Sequence, residues 1–418
     1  MDYNKPNDSV KSSEVIKYEL GSLCTFTQGV QIASSDTINT PKEGYIRYIY
    51  IRDLFTDKYP VYVKNEYPNK ILSPTDIVMV NTGNTSGSVY RGKPGVLCNN
   101  AFRIATKKKN LDQEFLWFCL NSEEKERMLK RFANPSGQPH VGHKNIAKLK
   151  IPLFPLPEQQ KIAKILTTWD KAIDTTERLI ENSTQQKKAL MQQLLTGKKR
   201  LLDDNGKPFE GEWEEVKLES IVLRTQLGTT ERTKDDKSED TVSLLKMGNL
   251  TWGGLNFDKV ETLPKSKVDS SLILKPGDFL FNTRNTPDLV GKSAVWKDQK
   301  GEFTFDNNIN RIDFDESINT TFICLYLTWG KGKSLIRSLS AGSTSVAAIY
   351  WKDLKNIRMP CPSLKEQQKI AAVLTNADKE IELLEQQLAD LQQEKKALMQ
   401  VLLTGKKRVF LSNKESLK

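Results

Sequence analysis

The sequence predicts an α+β/α protein built as two similar halves, each an α/β globule followed by one long coiled-coil helix. Two observations carry this. Residues 158–200 read EQQKIAKILTTWDKAIDTTERLIENSTQQKKALMQQLLTGKKR, and residues 366–408 read EQQKIAAVLTNADKEIELLEQQLADLQQEKKALMQVLLTGKKR. The copies align without a gap at an offset of 208, with 26 of 43 positions identical, so they are an internal duplication. The second observation is a fainter repeat in the globules. ILSPTD (71–76) matches ILKPGD (273–278), NTGNT (81–85) matches NTRNT (282–286), and KLKIP (148–152) parallels NIRMP (356–360). Asn99-Asn100 and Arg103-Ile104 likewise find counterparts in Asn307-Asn308 and Arg311-Ile312.

In chain order, residues 1–16 are polar and form an expected tail. Residues 17–153 make the first globule. YIRYIYI (45–51) and NNAFRIA (99–105) are β-rich, ILSPTDIVMV (71–80) is a turn and a buried strand, NTGNTSG (81–87) is turn chemistry, and DQEFLWFCL (112–120) begins a helix. Residues 154–200 hold the first long helix. Pro157 stands in its first turn, and its 4-3 stripe is Ile162, Leu166, Trp169, Ile173, Ile180, Leu190 and Leu194, interrupted by Thr176, Ser183 and Lys187. Residues 201–361 are the second globule, entered through a DNG turn. Residues 362–408 hold the second helix, where Ser363 and Glu366 have capping-box spacing. Its stripe is Ile370, Leu374, Ala377, Ile381, Leu384, Leu388, Leu391, Leu398 and Leu402, broken by Lys395. Gly197 and Gly405 end the helices where a left-handed cap needs no Cβ, and 409–418 is a second tail. Roughly 39 helical residues give a rod of about 58 Å. Such a stripe is too apolar for solvent and too narrow for a globular core, so it asks for partner helices.

The formal net charge of +11 favours a polyanionic partner. Five scattered cysteines without a CxxC point to a reducing compartment, and the chain has neither a signal-peptide core nor an apolar run of ~20 residues. A cytoplasmic protein with no membrane partner is the expectation.

Two variable α/β units, each followed by a P-x-x-x-L-x-EQQKI-A helix that ends in LLTGKKR, resemble the DNA-specificity subunit of type I restriction–modification enzymes. The resemblance implies that residues 17–153 and 201–361 are target-recognition domains, each reading half of a split sequence in double-stranded DNA. It implies that the two helices pair as an antiparallel coiled coil, space the readers and dock two modification (methyltransferase) subunits. Those partners would carry S-adenosylmethionine and methylate adenine. Restriction subunits, with ATP and Mg, would add translocation and cleavage. Two like halves give a pseudo-twofold suited to two identical partners, and unlike globules imply an asymmetric target.

No catalytic residue, cofactor site or metal site is expected in the chain itself. NPSG (134–137) lacks the second proline and the aromatic of an N-P-P-Y motif, and neither GKS string (291–293, 332–334) completes a phosphate loop. Glu123-Glu124-Lys125 has nuclease-like E-x-K spacing but lies in a charged run, expected to be a solvated face. His140 and His143 have no further ligands nearby and are expected in a turn or at a phosphate. The rival readings are a self-contained DNA-modifying enzyme, which would need the motifs absent here, and a coiled-coil scaffold or regulator, which leaves the duplicated basic globules unexplained.

Arg and Lys read guanine, Asn and Gln read adenine, and Ser, Thr and Lys hold phosphates. Residues of these types in candidate loops are Gln28, Gln31, Asn81, Thr82, Asn84, Thr85 and Arg91 in the first globule. In the second they are Arg224, Arg232, Asn282, Thr283, Arg284, Asn285 and Lys292, with residues 343–345. The alternative is that Asn, Thr, Gly and Ser simply make turns. The subunit and coiled-coil interface is placed on Ile162, Leu166, Trp169, Ile173, Ile370, Leu374, Ile381, Leu384, Leu388 and Leu391. For GKKR (197–200, 405–408), charge complementing the helix dipole is the favoured account.

Overall fold

A computed structural model describes residues 15–107, 109–130, 140–232, 240–297, 299–342 and 346–409. The NPSG string, residues 343–345 and most of both expected tails lie outside the described residues. The chain divides into two compact units, one formed by the residues up to Glu177 together with those from Gln386 onward, the other by Arg178–Glu385. Each unit therefore contains one globule and one half of each long helix.

The strands of the first unit are β1 (Lys17–Glu19), β2 (Cys24–Gln28), β3 (Tyr45–Ile49), β4 (Val61–Lys64), β5 (Ile71–Leu72), β6 (Ile77–Val80), β7 (Val89–Arg91), β8 (Gly95–Leu97), β9 (Ala101–Thr106) and β10 (Lys150–Pro152). They form a sheet β2-β9-β6-β7, a sheet β4-β3-β8-β5 in which β3 and β8 run parallel, and a ribbon β1-β10. The four residues of β6, Ile-Val-Met-Val, are all fully buried, which is why the strand reads as a continuous apolar run rather than an alternation. The helix Gln113–Leu120 closes this core. Its N-cap Asp112 accepts the Phe115 N–H.

The second unit repeats the plan with β11 (Glu214–Lys217), β12 (Val222–Leu227), β13 (Thr241–Leu245), β14 (Glu261–Pro264), β15 (Phe279–Asn282), β16 (Arg284–Asn285), β17 (Ser293–Val295), β18 (Phe303–Phe305), β19 (Ile309–Phe314), β20 (Ala341–Gly342), β21 (Ala347–Ala348) and β22 (Arg358–Cys361). Its sheets are β12-β19-β15-β17, β14-β13-β18 with β13 and β18 parallel, the ribbon β11-β22, and a small added sheet β16-β21-β20. The N-cap of helix Thr320–Thr328 is Asn319, accepting the Phe322 N–H as Asp112 does in the first unit.

The long helices span Leu156–Leu194 and Leu364–Leu402, 39 residues each. In the first unit Ile162 and Leu166 share a core with Leu402 and Leu403; in the second, Ile370 and Leu374 share one with Met191 and Leu194. The start of each helix thus lies beside the end of the other, which is antiparallel pairing. Trp169, Ile173, Ile381, Leu384, Leu388 and Leu391 continue the stripe as half-buried side chains. The polar interruptions are paired. Lys187 reaches Asp378 and Lys395 reaches Asp170, one ion pair made twice under the 208-residue offset.

The repeated end motifs form a reciprocal lock. In the second unit Arg200 Nε and Nη2 donate to Glu366 at 2.6 and 2.7 Å. In the first, Arg408 Nε and Nη2 donate to Glu158 at 2.8 and 2.6 Å. This corrects the dipole account of GKKR: its arginine is a bidentate partner for a buried carboxylate. It also limits the capping box at Ser363. The Glu366 N–H donates to Ser363 Oγ at 3.4 Å, but the carboxylate is taken by Arg200 and by Trp213 Nε1. The next residue is buried too. Gln159 accepts the Asp112 N–H and donates to Asn110 O and Phe154 O; Gln367 accepts the Asn319 N–H and donates to Ser317 O and Pro362 O. Glu ties the helix pair, and Gln ties the helix to its globule. Gly197 and Gly405 have φ of 69° and 76°, the left-handed cap that spares them a Cβ clash.

Candidate nucleic-acid interface

In each unit the central sheet presents the same end. There β2 and β6 finish and β9 begins; likewise β12 and β15 finish and β19 begins. Two glycines let the loops draw in. A Cβ on Gly29 would stand 1.9 Å from Cys98 O, and one on Gly228 would stand 2.1 Å from Phe305 O.

At this end of the first unit Gln28 donates to Asn99 O, Asn99 Nδ2 donates to Gln31 Oε1 at 3.1 Å, and Lys70 Nζ donates to Gln28 O at 2.7 Å. The Asn81 N–H donates to Asn100 O, and Thr82 Oγ1 lies 3.1 Å from His140 Nδ1. Asn84 and Thr85 are exposed on the same loop. Behind that loop Lys125, 6% exposed, donates to Gly87 O at 3.2 Å, and burial lowers its pKa. The E-x-K run is therefore not a solvated face, since Glu123 also pairs with Lys396. His143 begins a short helix and meets Phe102 edge-on.

In the second unit the matching end gathers Arg232, Asn282, Thr283, Arg284, Asn285 and Lys292. Arg232 Nη2 donates to Asn307 Oδ1 at 3.0 Å, and Thr283 Oγ1 donates to Asn308 O at 2.9 Å. The Asn282 N–H donates to Lys292 O, and Ile349 N–H donates to Thr283 O. Asp306 shapes the floor by accepting both N–H groups of Asn308, and burial raises its carboxyl pKa despite those bonds.

Four of the expected DNA contacts are placed otherwise. Arg91 pairs with Ile77 at the opposite end of its strand, is bound to Glu114 and stacks 4.1 Å over Trp117. Arg224 lies at the far end of β12, bonded to Asp313 at 3.0 Å. Asn81 is buried, and Asn282 is wholly so, its amide donating to Arg284 O and Asn308 O. These two hold the turn, which is why NT recurs. Arg103 and Arg311 recur for a similar reason. They stand 3.6 and 3.3 Å from Asp76 and Asp278, the carboxylates that also cap the ILSPTD and ILKPGD turns. Lys70, Asn99, Asn100 and Asn307 join the two ends without having been assigned to them, and His140, expected in a turn or at a phosphate, lies at the first. The repeated Asn-Asn pair was the available signal. Among the described residues no group of His, Cys, Asp and Glu could hold a metal, and no helix is long and apolar enough to cross a membrane.

A sequence model of the type I restriction modification DNA specificity domain matches residues 12–183 and again 210–393. The chain belongs to this family. It is a DNA-specificity subunit of a type I restriction–modification system. The MjaVIII specificity subunit of Methanocaldococcus jannaschii is 31% identical over 379 residues, covering 88% of this chain and 87% of the relative. The EcoBI specificity subunit of Escherichia coli is 22% identical, with 85% and 77% covered. The type I S subunit from M. genitalium, solved by crystallography, shares the fold at 14% identity with a TM-score of 0.56, covering 98% of this chain and 99% of that one. A structure described for complex assembly and conformational transition of the type I R-M system has a TM-score of 0.52 at 17% identity, with 93% and 97% covered. The two matched segments of the specificity subunit each take in one globule and most of one long helix.

Proposed function

We propose that each globule of this specificity subunit reads one half of a bipartite, asymmetric DNA target through the sheet end just described. The helix pair sets the unread gap and docks two methyltransferase subunits. The chain itself performs no chemistry: S-adenosylmethionine belongs to those partners, and ATP with Mg to restriction subunits where these are present. The complex works in the cytoplasm. The observation that carries the reading is a division of labour at the two sheet ends. The recurring Asn81 and Asn282, and Arg103 and Arg311, are engaged within the fold, whereas Gln31, Arg232 and Arg284 are exposed and differ between the halves. A scaffold that is constant while its exposed polar groups vary is what base-edge reading requires.

Exchange of residues 17–153 for the matching segment of a relative tests it. Genome-wide adenine-methylation mapping is expected to show one half of the target replaced and the other half and gap retained. A swap that scrambled both halves would reject independent reading.

A further inference from the structure

We infer that Arg284 is a specificity-determining residue that reads a guanine in the half-site of the second globule; this rests on the reading of the sheet ends given above. Arg284 stands third in NTRNT, where the first globule has Gly83. Its backbone is fixed by two contacts. It pairs with Ala348 in the added sheet, its carbonyl accepts from Asn282 Nδ2 at 3.2 Å, and that Asn is wholly buried and bonded to Asn308 O. The side chain, by contrast, is exposed and has no hydrogen-bond or ion-pair partner among the described residues. Its neighbour differs. The Arg232 guanidinium is already committed to Thr230 O, Glu231 O and Asn307 Oδ1. A rigid root with an uncommitted fork is the arrangement that gives bidentate contact to guanine O6 and N7 at little ordering cost. Among the described residues the first globule has at this place an isolated Thr82–His140 bridge, where the second has the sheet β16-β21-β20. The second globule has therefore built a small sheet whose first residue is this arginine.

The test uses the full chain with its methyltransferase subunits, probed on chromosomal DNA by adenine-methylation mapping. Arg284→Ala is expected to relax one G·C position in one half-site, by about 10- to 100-fold in preference, leaving the other half-site intact. Arg284→Gln is expected to move that position toward A·T. An unchanged motif with uniformly weaker methylation and a shallower salt dependence would make Arg284 a phosphate contact and overturn the inference. An unchanged motif at unchanged efficiency would overturn it as well. Joint replacement of Arg232, Arg284 and Lys292 by Ala separates this from the broader reading. If the triple variant keeps both affinity and motif while remaining folded by circular dichroism, the sheet end itself is not the reading surface.

Discussion

The lock residues are the individual side chains on which most depends. Glu366 has a side chain 1% exposed and Glu158 one 5% exposed, and each carboxylate has one arginine fork as its cation, with Trp213 Nε1 and the Val409 N–H as the respective further donors. Arg200→Ala leaves a buried carboxylate without its cation, and is expected to cost about 2–4 kcal/mol. Replacing Glu366 by Gln in the same chain should recover part of that loss, as a double-mutant cycle in urea would read. A fully additive pair would mean that the two do not act together. The lock also has a pH signature. Burial alone would raise the Glu158 carboxyl, but the Arg408 guanidinium and the Val409 N–H more than offset this and hold it below the usual carboxylate range. A carboxylate with a depressed folded pKa contributes stability that is present above its unfolded value and lost as pH falls through the folded one. Melting temperature should therefore fall as pH drops below about 4, and less steeply in Glu158→Gln. An identical acid slope in wild type and variant would remove Glu158 from the account.

At the scale of the elements, the helix pair is a seam with two kinds of site. Its ends are core, with Leu166, Leu374, Met191 and Leu402 buried in the globules, while Leu384 and Leu388 are only half-buried. Leu384→Glu is expected to destabilise the isolated chain modestly, by about 1–2 kcal/mol, yet to weaken capture of a methyltransferase subunit far more. Equal binding by wild type and variant in a pull-down would exclude the half-buried stretch as the docking face. This seam was legible in the sequence because periodicity needs no tertiary knowledge. Lys187 and Lys395 looked like defects in it, since the partner of each lies on the other helix and could not be located before the antiparallel register was known. The globules were legible only in part. Strand β6 announced itself as an apolar run, but the short strands β5, β16, β20 and β21 carry two residues each, too few for any pattern to register. The candidate DNA residues divided for a similar reason. Asn in a loop is equally suited to a base edge and to a turn, and only burial distinguishes Asn282 from Asn84.

For the whole molecule, the expectation is that the purified chain transfers no methyl group to DNA when S-adenosylmethionine is supplied, and does so once a methyltransferase subunit is added. Turnover by the chain alone, shown free of copurifying enzyme, would contradict this. A different consequence follows from the two helix ends. In the second unit Gly197 packs against Trp213, the residue before β11, and the stretch from Lys198 to Glu212 joins them covalently. In the first unit Gly405 packs against Val15, close before β1, and there the same two pieces are neighbours without a bond between them. Connectivity is thus interchangeable at these two places. A circular permutant in which Val409 is linked to Val15 by a copy of the Lys198–Glu212 stretch, and the chain is opened at the exposed Asn205, should fold and methylate the same target with its partners. The order in which the gene spells the two halves is then a historical accident rather than a requirement of the protein.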